Sequence, residues 1–365
     1  MSEETVMSGQ SPPAFVVLLL CGLLCVPLLA QEPTPAVNPG SNPDYVVSVR
    51  VPPEVRNDIA DAAVRFFVAA FPETPRDAIE QSFESWRAKD VWDVRPRRGS
   101  LPITILRTSI GEITLSFPEP RMWMLLRPRR GLLPGQVRRE LDEKRAAVLA
   151  EEALLRLMPR AKERESLERD DYSVLDDTYC LRGYSTIHPD FRNEKSIGVD
   201  VSLTTGQVTR CFLHCQAVPP LQPSLLDKKI LFEKAAPIYC GAIEPVFKLR
   251  LLHDLGRDMV CWEYGRPRAD GASTVDAATC WDAYTGEIVT SQEVSSPVVA
   301  ALMVRPDGTR QDLPGGYRNE KFFPPMDEKQ IITRLEELAQ ARAEKLKADK
   351  AMPATPAEPA KDAAK

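Results

Sequence analysis

A chain of 365 residues with 43% apolar and 27% charged residues has the composition of a soluble globular protein of two or three domains, not of a disordered or membrane-embedded one. Its net charge of -5 leaves no electrostatic footprint for nucleic acid. Two basic knots, Arg95 with Arg97 and Arg98, then Arg127 with Arg129 and Arg130, read as solvated loop arginines.

In chain order, Phe15 to Ala30 comes first, an uncharged apolar run of 16 residues that ends in Pro27-Leu28-Leu29-Ala30. A membrane-spanning helix needs roughly 20 residues, so 1–30 is expected to be an export signal cut before Gln31. No Lys or Arg precedes the run, and Leu28 stands where a small residue is usual, so a retained signal anchor is the alternative. Either way the expected location is extracytoplasmic, whether secreted, periplasmic or cell-surface, with a membrane touched only through such an anchor. Residues 31–43 are rich in proline and form a linker.

Three segments then repeat one order of elements. In residues 44–125 a helix over Glu54 to Phe71 stops at Pro72; strands follow near Val91 and Ile103, and Ser109-Ile110-Gly111-Glu112-Ile113 turns the chain into another strand. In 135–218 a helix from about Gln136, with Leu141, Val148 and Leu155 as its apolar stripe and Met158 closing it, ends at Pro159. Strands over Tyr172 to Leu175 and Tyr179 to Tyr184 precede the alternating run Ile197, Val199, Val201, Leu203, and Thr204-Thr205-Gly206-Gln207-Val208 turns it back. In 224–296 a helix near Leu226 and Ile230 precedes strands at Val246 to Leu252 and Met259 to Tyr264, then a hairpin closed by Tyr284-Thr285-Gly286-Glu287-Ile288. The stopping prolines Pro72, Pro159 and Pro245 lie at similar distances ahead of Gly111, Gly206 and Gly286, the spacing of duplicated units. The fold class expected is therefore α+β, in tandem repeats of a helix packed on an antiparallel β-meander.

The stretch Asp282-Ala283-Tyr284-Thr285-Gly286-Glu287-Ile288, behind Val260-Cys261-Trp262-Glu263 and a helix, resembles the PepSY type of repeat over about 225–294. Ser202-Leu203-Thr204-Thr205-Gly206-Gln207-Val208 matches that signature loosely, and the first segment only at Gly111-Glu112-Ile113. Such repeats occur in propeptides of secreted peptidases and in bacterial envelope proteins. The resemblance implies a non-enzymatic role, binding or restraining a protein partner such as a secreted peptidase or an envelope protein. Beyond the third segment, 297–325 reads as a hairpin and loop, 326–348 as an amphipathic helix with Ile331, Ile332, Leu335 and Leu338 on one stripe, and 349–365 as a disordered tail. That stripe is expected to dock on the protein's own body.

Past the leader stand six cysteines, Cys180, Cys211, Cys215, Cys240, Cys261 and Cys280, an even number that suits disulfides in an exported chain. Trp262 and Trp281 belong to the apolar phase of their strands, so Cys261 and Cys280 share the other face and are the expected pair. Cys180 and Cys211 share the corresponding face of the second unit, but a meander places a strand between them, too far for a bond; Cys215 and Cys240 are their candidate partners. Cys211-Phe212-Leu213-His214-Cys215 suggests a metal, yet in a strand His214 points away from both thiols and no second ligand pair follows at zinc-finger spacing. No metal or other cofactor is expected. The sequence holds no nucleophile elbow, zinc-protease helix, phosphate loop or dinucleotide fingerprint. Asp170-Asp171 and Asp176-Asp177 read as solvated carboxylates. Two alternatives to a binding module stay open: an extracytoplasmic hydrolase with an acidic or His253-containing groove near Asp254, and a structural envelope component that assembles through its C-terminal helix.

Overall fold

The computed structural model describes residues 45–351 except 98, 128–140, 161–167, 176, 186–190, 192–194, 216–219, 228–245, 268–274, 294–300, 305–309 and 314–317. All of them belong to one unit of the chain, Ala36–Lys365. The leader, the linker, the tail beyond Ala351, Cys240 and most of the third predicted helix lie outside the described residues, as do Arg98, Arg129, Arg130, Asp176 and His188; the start of the expected tail, 349–351, is helical.

Strand β1 (Val47–Arg50) opens the fold and alternates buried and exposed residues. Helix α1 (Pro53–Ala70) follows, with proline at its first position, where no N–H is needed. Val55, Ile59, Ala63, Phe67 and Ala70 line its buried face. Helix α2 (Arg76–Ala88) is anchored by only Ile79 and Phe83, one turn apart, which is why periodicity alone does not announce it. A meander comes next: β2 (Val91–Arg95), β3 (Ile103–Thr108), β4 (Gly111–Ser116) and β5 (Met122–Leu126). Strand β5 adds a further strand after the one that the Gly111 turn introduces.

Helix α3 (Glu143–Leu157) starts at Asp142, whose carboxylate accepts the Arg145 backbone N–H at 2.8 Å. Its buried face corrects the expected stripe. Ala146, Ala150, Ala153 and Leu154 are buried, whereas Val148 and Leu155 are 45% and 47% exposed. Alanines let the helix axis approach the sheet closely, and the larger apolar residues fall on the outside. A second meander follows, β6 (Glu168–Leu175), β7 (Thr178–Ser185), β8 (Lys195–Ser202) and β9 (Val208–Cys215).

The two meanders form one antiparallel sheet in the order β1-β2-β3-β4-β5-β9-β8-β7-β6. Their last strands join edge to edge, with Trp123 opposite Leu213 and Leu125 opposite Cys211. One face, carrying Leu106, Ile113, Leu115, Trp123, Leu125, Val199 and Cys211, shares a single core with α1, α2 and α3. The first two predicted units are thus not two separately packed bodies.

A second antiparallel sheet comprises β10 (Val246–Asp254), β11 (Arg257–Pro267), β12 (Val275–Asp282) and β13 (Ile288–Glu293). Trp262 stands directly opposite Trp281, and both belong with Leu249, Leu251, Val260 and Ala283 to one apolar face. Leu252, Cys261, Cys280 and Val289 belong to the other, under Phe323. A short hairpin, β14 (Ala301–Val304) with β15 (Arg310–Leu313), fulfils the expectation of a strand pair after the third unit.

The second sheet is pegged to the main core by the tip of its first hairpin. Leu255 takes a left-handed conformation with φ 40° and is buried in the main core, a conformation a branched residue adopts only under strong packing. The Leu255 carbonyl accepts the Arg334 Nε–H at 3.0 Å, and the Gly99 N–H donates to the His253 carbonyl at 2.9 Å. At Gly256 (φ 99°) a Cβ would lie 2.5 Å from a Leu338 methyl, so that position requires glycine on both counts.

Arg334 and Leu338 belong to helix α4 (Glu328–Ala351), whose buried residues Ile331, Leu335, Ala339 and Ala343 join the main core. It packs on α1 and β1, and Glu336 accepts the Arg50 backbone N–H at 3.0 Å. Docking at home is therefore what this helix does. Of the expected stripe, Ile331 and Leu335 are buried and Ile332 and Leu338 half-buried.

Candidate functional site

The described helices lie on one face of the nine-stranded sheet, and the opposite face of β7, β8, β9 and β5 carries a group of half-buried polar and aromatic side chains. Register places Arg182 opposite Gly198 and Gly198 opposite Phe212, with Met124 next across the sheet. The Phe212 ring fills the space over Gly198, where a Cβ would stand 2.1 Å from the ring. Glycine in a strand interior that makes room for a neighbouring ring is a packing device, and here it lets the ring lie over the Gly198 backbone. The guanidinium carbons of Arg182 and Arg210 flank that ring at 5.2 and 5.5 Å from its centroid.

The two arginines differ in charge balance. Arg182 donates from Nη1 to Asp200 Oδ1 at 2.5 Å, and Asp200 is itself buried. Arg210 rests its Nη2 against the Met124 sulfur at 3.4 Å, its Nε is inaccessible and unbonded, and no carboxylate among the described residues pairs with it. The face therefore presents one ion-paired guanidinium and one, opposite Asp200 in register, that makes no ion pair among the described residues.

A second polar group lies at the tip of the second sheet. His253 Nδ1 is 2.7 Å from Asp258 Oδ1, its register partner on β11. Asp254 pairs with Arg257 at 2.8 Å. The hydrogen bond from His253 holds the Asp258 carboxyl below its ordinary range. His253 Nε2 is buried and unbonded, so the ring has no nitrogen open to a substrate. The geometry is that of a structural His-Asp pair; general base catalysis needs a nitrogen within hydrogen-bond reach of the substrate.

Nearby His214 points to the face opposite Cys211 and Leu213, as strand alternation demands, and is not assembled with the thiols into a ligand set. Burial, then the charges of His253 and Arg250, push its imidazole below the ordinary value. For a base depressed in the folded state, the unfolded chain takes up the proton first. The His214 contribution to stability is thus fully present above the ordinary pKa of 6.5 and declines as pH falls from there towards the folded value. The Asp258 contribution acts lower, present above 3.8 and lost as pH drops through its depressed folded value. Urea midpoints at pH 7.5 and 5.5 are expected to fall further for the wild type than for His214→Gln; equal losses would remove His214 from this account.

The cysteines fall differently from expectation. Cys261 and Cys280 do share one buried face, but Cys261 registers with Asp282 and Cys280 with Glu263, so the pair is diagonal, not directly opposed. No disulfide joins Cys261, Cys280, Cys180 or Cys211, and no described pair stands at disulfide distance. Cys180 and Cys211 are also on opposite faces, because Cys180 registers with Asp200 whereas Cys211 registers with Val199. A bulge between Asp200 and Val201 shifts the parity of β9 and moves Cys211 to the helix side. The Cys215 side chain lies outside the described residues. Burial pushes the Cys211 thiol up to about 12 and the Cys261 thiol up as well, so neither is a nucleophile at neutral pH.

The remaining sequence candidates are structural. Asp177 accepts the Thr204 hydroxyl at 2.6 Å and so braces a turn. Arg127 pairs with Glu73 and lies 4.3 Å over the Phe71 ring. Among the described residues no three His, Cys, Asp or Glu side chains converge, and no described helix is long and apolar enough to cross a membrane. The group sequence reasoning missed is Arg182, Arg210 and Phe212; its one signal was Gly198 among alternating apolar residues.

Two turns coincide in detail. Ser202 N–H donates to the Gln207 carbonyl and Gly206 N–H to the Ser202 carbonyl, each at 2.9 Å; Asp282 with Glu287, and Gly286 with Asp282, repeat both bonds at 2.9 Å. Ser202 and Asp282 side chains each accept two backbone N–H groups within their turns. Leu141 N–H donates to the Leu203 carbonyl at 2.9 Å, and Leu226 N–H to the Ala283 carbonyl at 2.9 Å. The Gly111 turn lies between the second and third strands of its meander and shares none of this. Comparison with protein-family models, curated proteins and solved structures yields no match to this chain.

Proposed function

We propose that the chain is an exported, non-enzymatic binding protein of the cell envelope that recognises a protein partner, with secreted peptidases the first class to test. The observation that carries this reading is the face around Phe212, where half-buried arginines and an aromatic ring lie on the side of the sheet away from the described helices. A role in binding needs such a preformed surface and no reactive group. In keeping with this, the His253 imidazole is closed off and the thiols of Cys180, Cys211, Cys261 and Cys280 are buried.

The finer architectural reading is also ours. The bond-for-bond agreement of the turns at Gly206 and Gly286, and of the anchors Leu141 and Leu226 before the helix positions, supports duplication of a PepSY-like unit in the second and third segments. The first segment is then a more divergent copy.

The test is to titrate the chain beginning at Gln31 into a panel of secreted peptidases, and to follow activity and complex size by light scattering. The expected result is a stoichiometric complex with loss of peptidase activity, and no turnover of ester, peptide or glycoside substrates by the chain itself. Turnover that vanishes in His253→Ala would overturn the reading in favour of a hydrolase. No complex with any peptidase or with envelope extracts would sink it outright.

A further inference from the structure

We infer that the face around Phe212 is a carboxylate-reading site, in which Arg210 binds an aspartate or glutamate side chain of an extended acidic segment on the partner. The inference rests on the binding reading above and names the chemistry that the same face selects.

The two arginines differ in their partners. Asp200 pairs with Arg182 at 2.5 Å, whereas Arg210, though opposite Asp200 in register, makes no ion pair with it or with any other described carboxylate. Its guanidinium is nonetheless held, by the Phe212 ring on one side and the Met124 sulfur on another. A guanidinium fixed by packing has already lost much of its rotamer freedom, so a carboxylate gains the charge-assisted bond at a reduced entropic cost. The exposed parts of Phe212 and Met124 suit an apolar residue next to the acidic one.

A side-chain carboxylate is the occupant that fits, and not a chain terminus. Capture of a terminal carboxylate relies on free backbone N–H groups. Strand β9 lies inside the sheet, paired with β5 on one side and β8 on the other, so only side-chain donors face this surface. Asp200 does not repel the incoming charge strongly, because Arg182 neutralises it at 2.5 Å.

Isothermal titration of the full mature chain with short capped peptides tests this. The probes are an alternating Glu-Leu peptide with both ends blocked, its Gln-Leu counterpart, and the Gln-Leu sequence with a free terminal carboxylate. The Glu-Leu probe is expected to bind, to weaken on adding salt, and to lose about tenfold in affinity in Arg210→Gln, with a smaller loss in Arg210→Lys. Arg76→Gln, at an exposed pair on α2, is expected to leave affinity unchanged. Thermal melts check that each variant folds, and Phe212→Leu gives a second route should Arg210→Gln unfold. Equal binding of Glu-Leu and Gln-Leu probes, or wild-type affinity in folded Arg210→Gln and Phe212→Leu, overturns the site. Binding of the free-terminus probe in place of the Glu-Leu probe overturns the choice of occupant. A peptidase complex that Arg210→Gln leaves intact would retain the binding reading and eliminate this site.

Discussion

Replacing Phe67 with alanine is expected to destabilise the protein by about 3–5 kcal/mol, read as a lower urea midpoint with an unchanged slope. The ring is fully buried and meets Phe71 and Phe83 edge-on at 5.6 and 5.4 Å between centroids. It also lies under the first hairpin: a Cβ at Gly111 would come 3.1 Å from it and 2.7 Å from the Leu126 carbonyl. One side chain thus holds α1, α2 and β4 together, and the cavity it leaves cannot collapse without moving paired strands. Leu155→Ala is the matched control. It removes a large apolar residue from a position 47% exposed and should change stability by less than about 0.5 kcal/mol. Comparable losses in the two variants would contradict the burial pattern of α3.

Ending the chain at Pro325 should have the second large effect, through loss of α4. Ile331 and Leu335 are completely buried by that helix, and each is worth about 2–5 kcal/mol as a truncation to alanine. Against a typical total of about 5–15 kcal/mol, their joint loss leaves little folded protein. The bare faces of α1 and β1 would be exposed as well, so the truncated chain is expected to aggregate on expression. Leu335→Ala should lower the melting temperature without abolishing the transition. Lys347→Ala, which breaks an exposed pair to Glu54 at 3.3 Å, should hardly register. A soluble truncated chain with the wild-type melting temperature would mean that α4 is detached in solution and free to assemble with a partner. As the helix stands, its apolar face is spent on α1 and β1, which argues against a role as an assembly element.

Much of the architecture was readable because its signals are local. Alternation over Ile197 to Leu203 and over Val260 to Tyr264, with glycine after threonine, marks hairpins, and the positive φ of Gly206 and Gly286 is the reason those glycines are there. Proline at the end of α1 and the charged flank of α4 gave their bounds to within a few residues. Features that depend on the other end of the chain were not readable. Which face of α3 is buried depends on how closely the sheet approaches, and alanine is too weakly hydrophobic to signal that in advance. Joining of β5 to β9 is a contact between segments far apart in sequence, with no local trace. The bulge that turned Cys211 to the helix side shifts parity by one residue, invisible to simple alternation. The Arg182, Phe212 and Arg210 group has the same origin, since three strands must register before the side chains meet.

The edge-to-edge join of the two meanders also bears on how the protein keeps to itself. Unpaired strand edges invite other chains to add to the sheet, and a nine-stranded sheet still has two. At one end, α4 shields β1 and occupies a main-chain donor of Arg50 with the Glu336 carboxylate. At the other, β6 begins Glu-Arg-Asp-Asp, a charged sequence of the kind that discourages pairing at a sheet edge. The strand edges most hospitable to stacking, those of β5 and β9, are consumed by each other. The seam thus removes two edges from the nine-stranded sheet, and opening it would present both again.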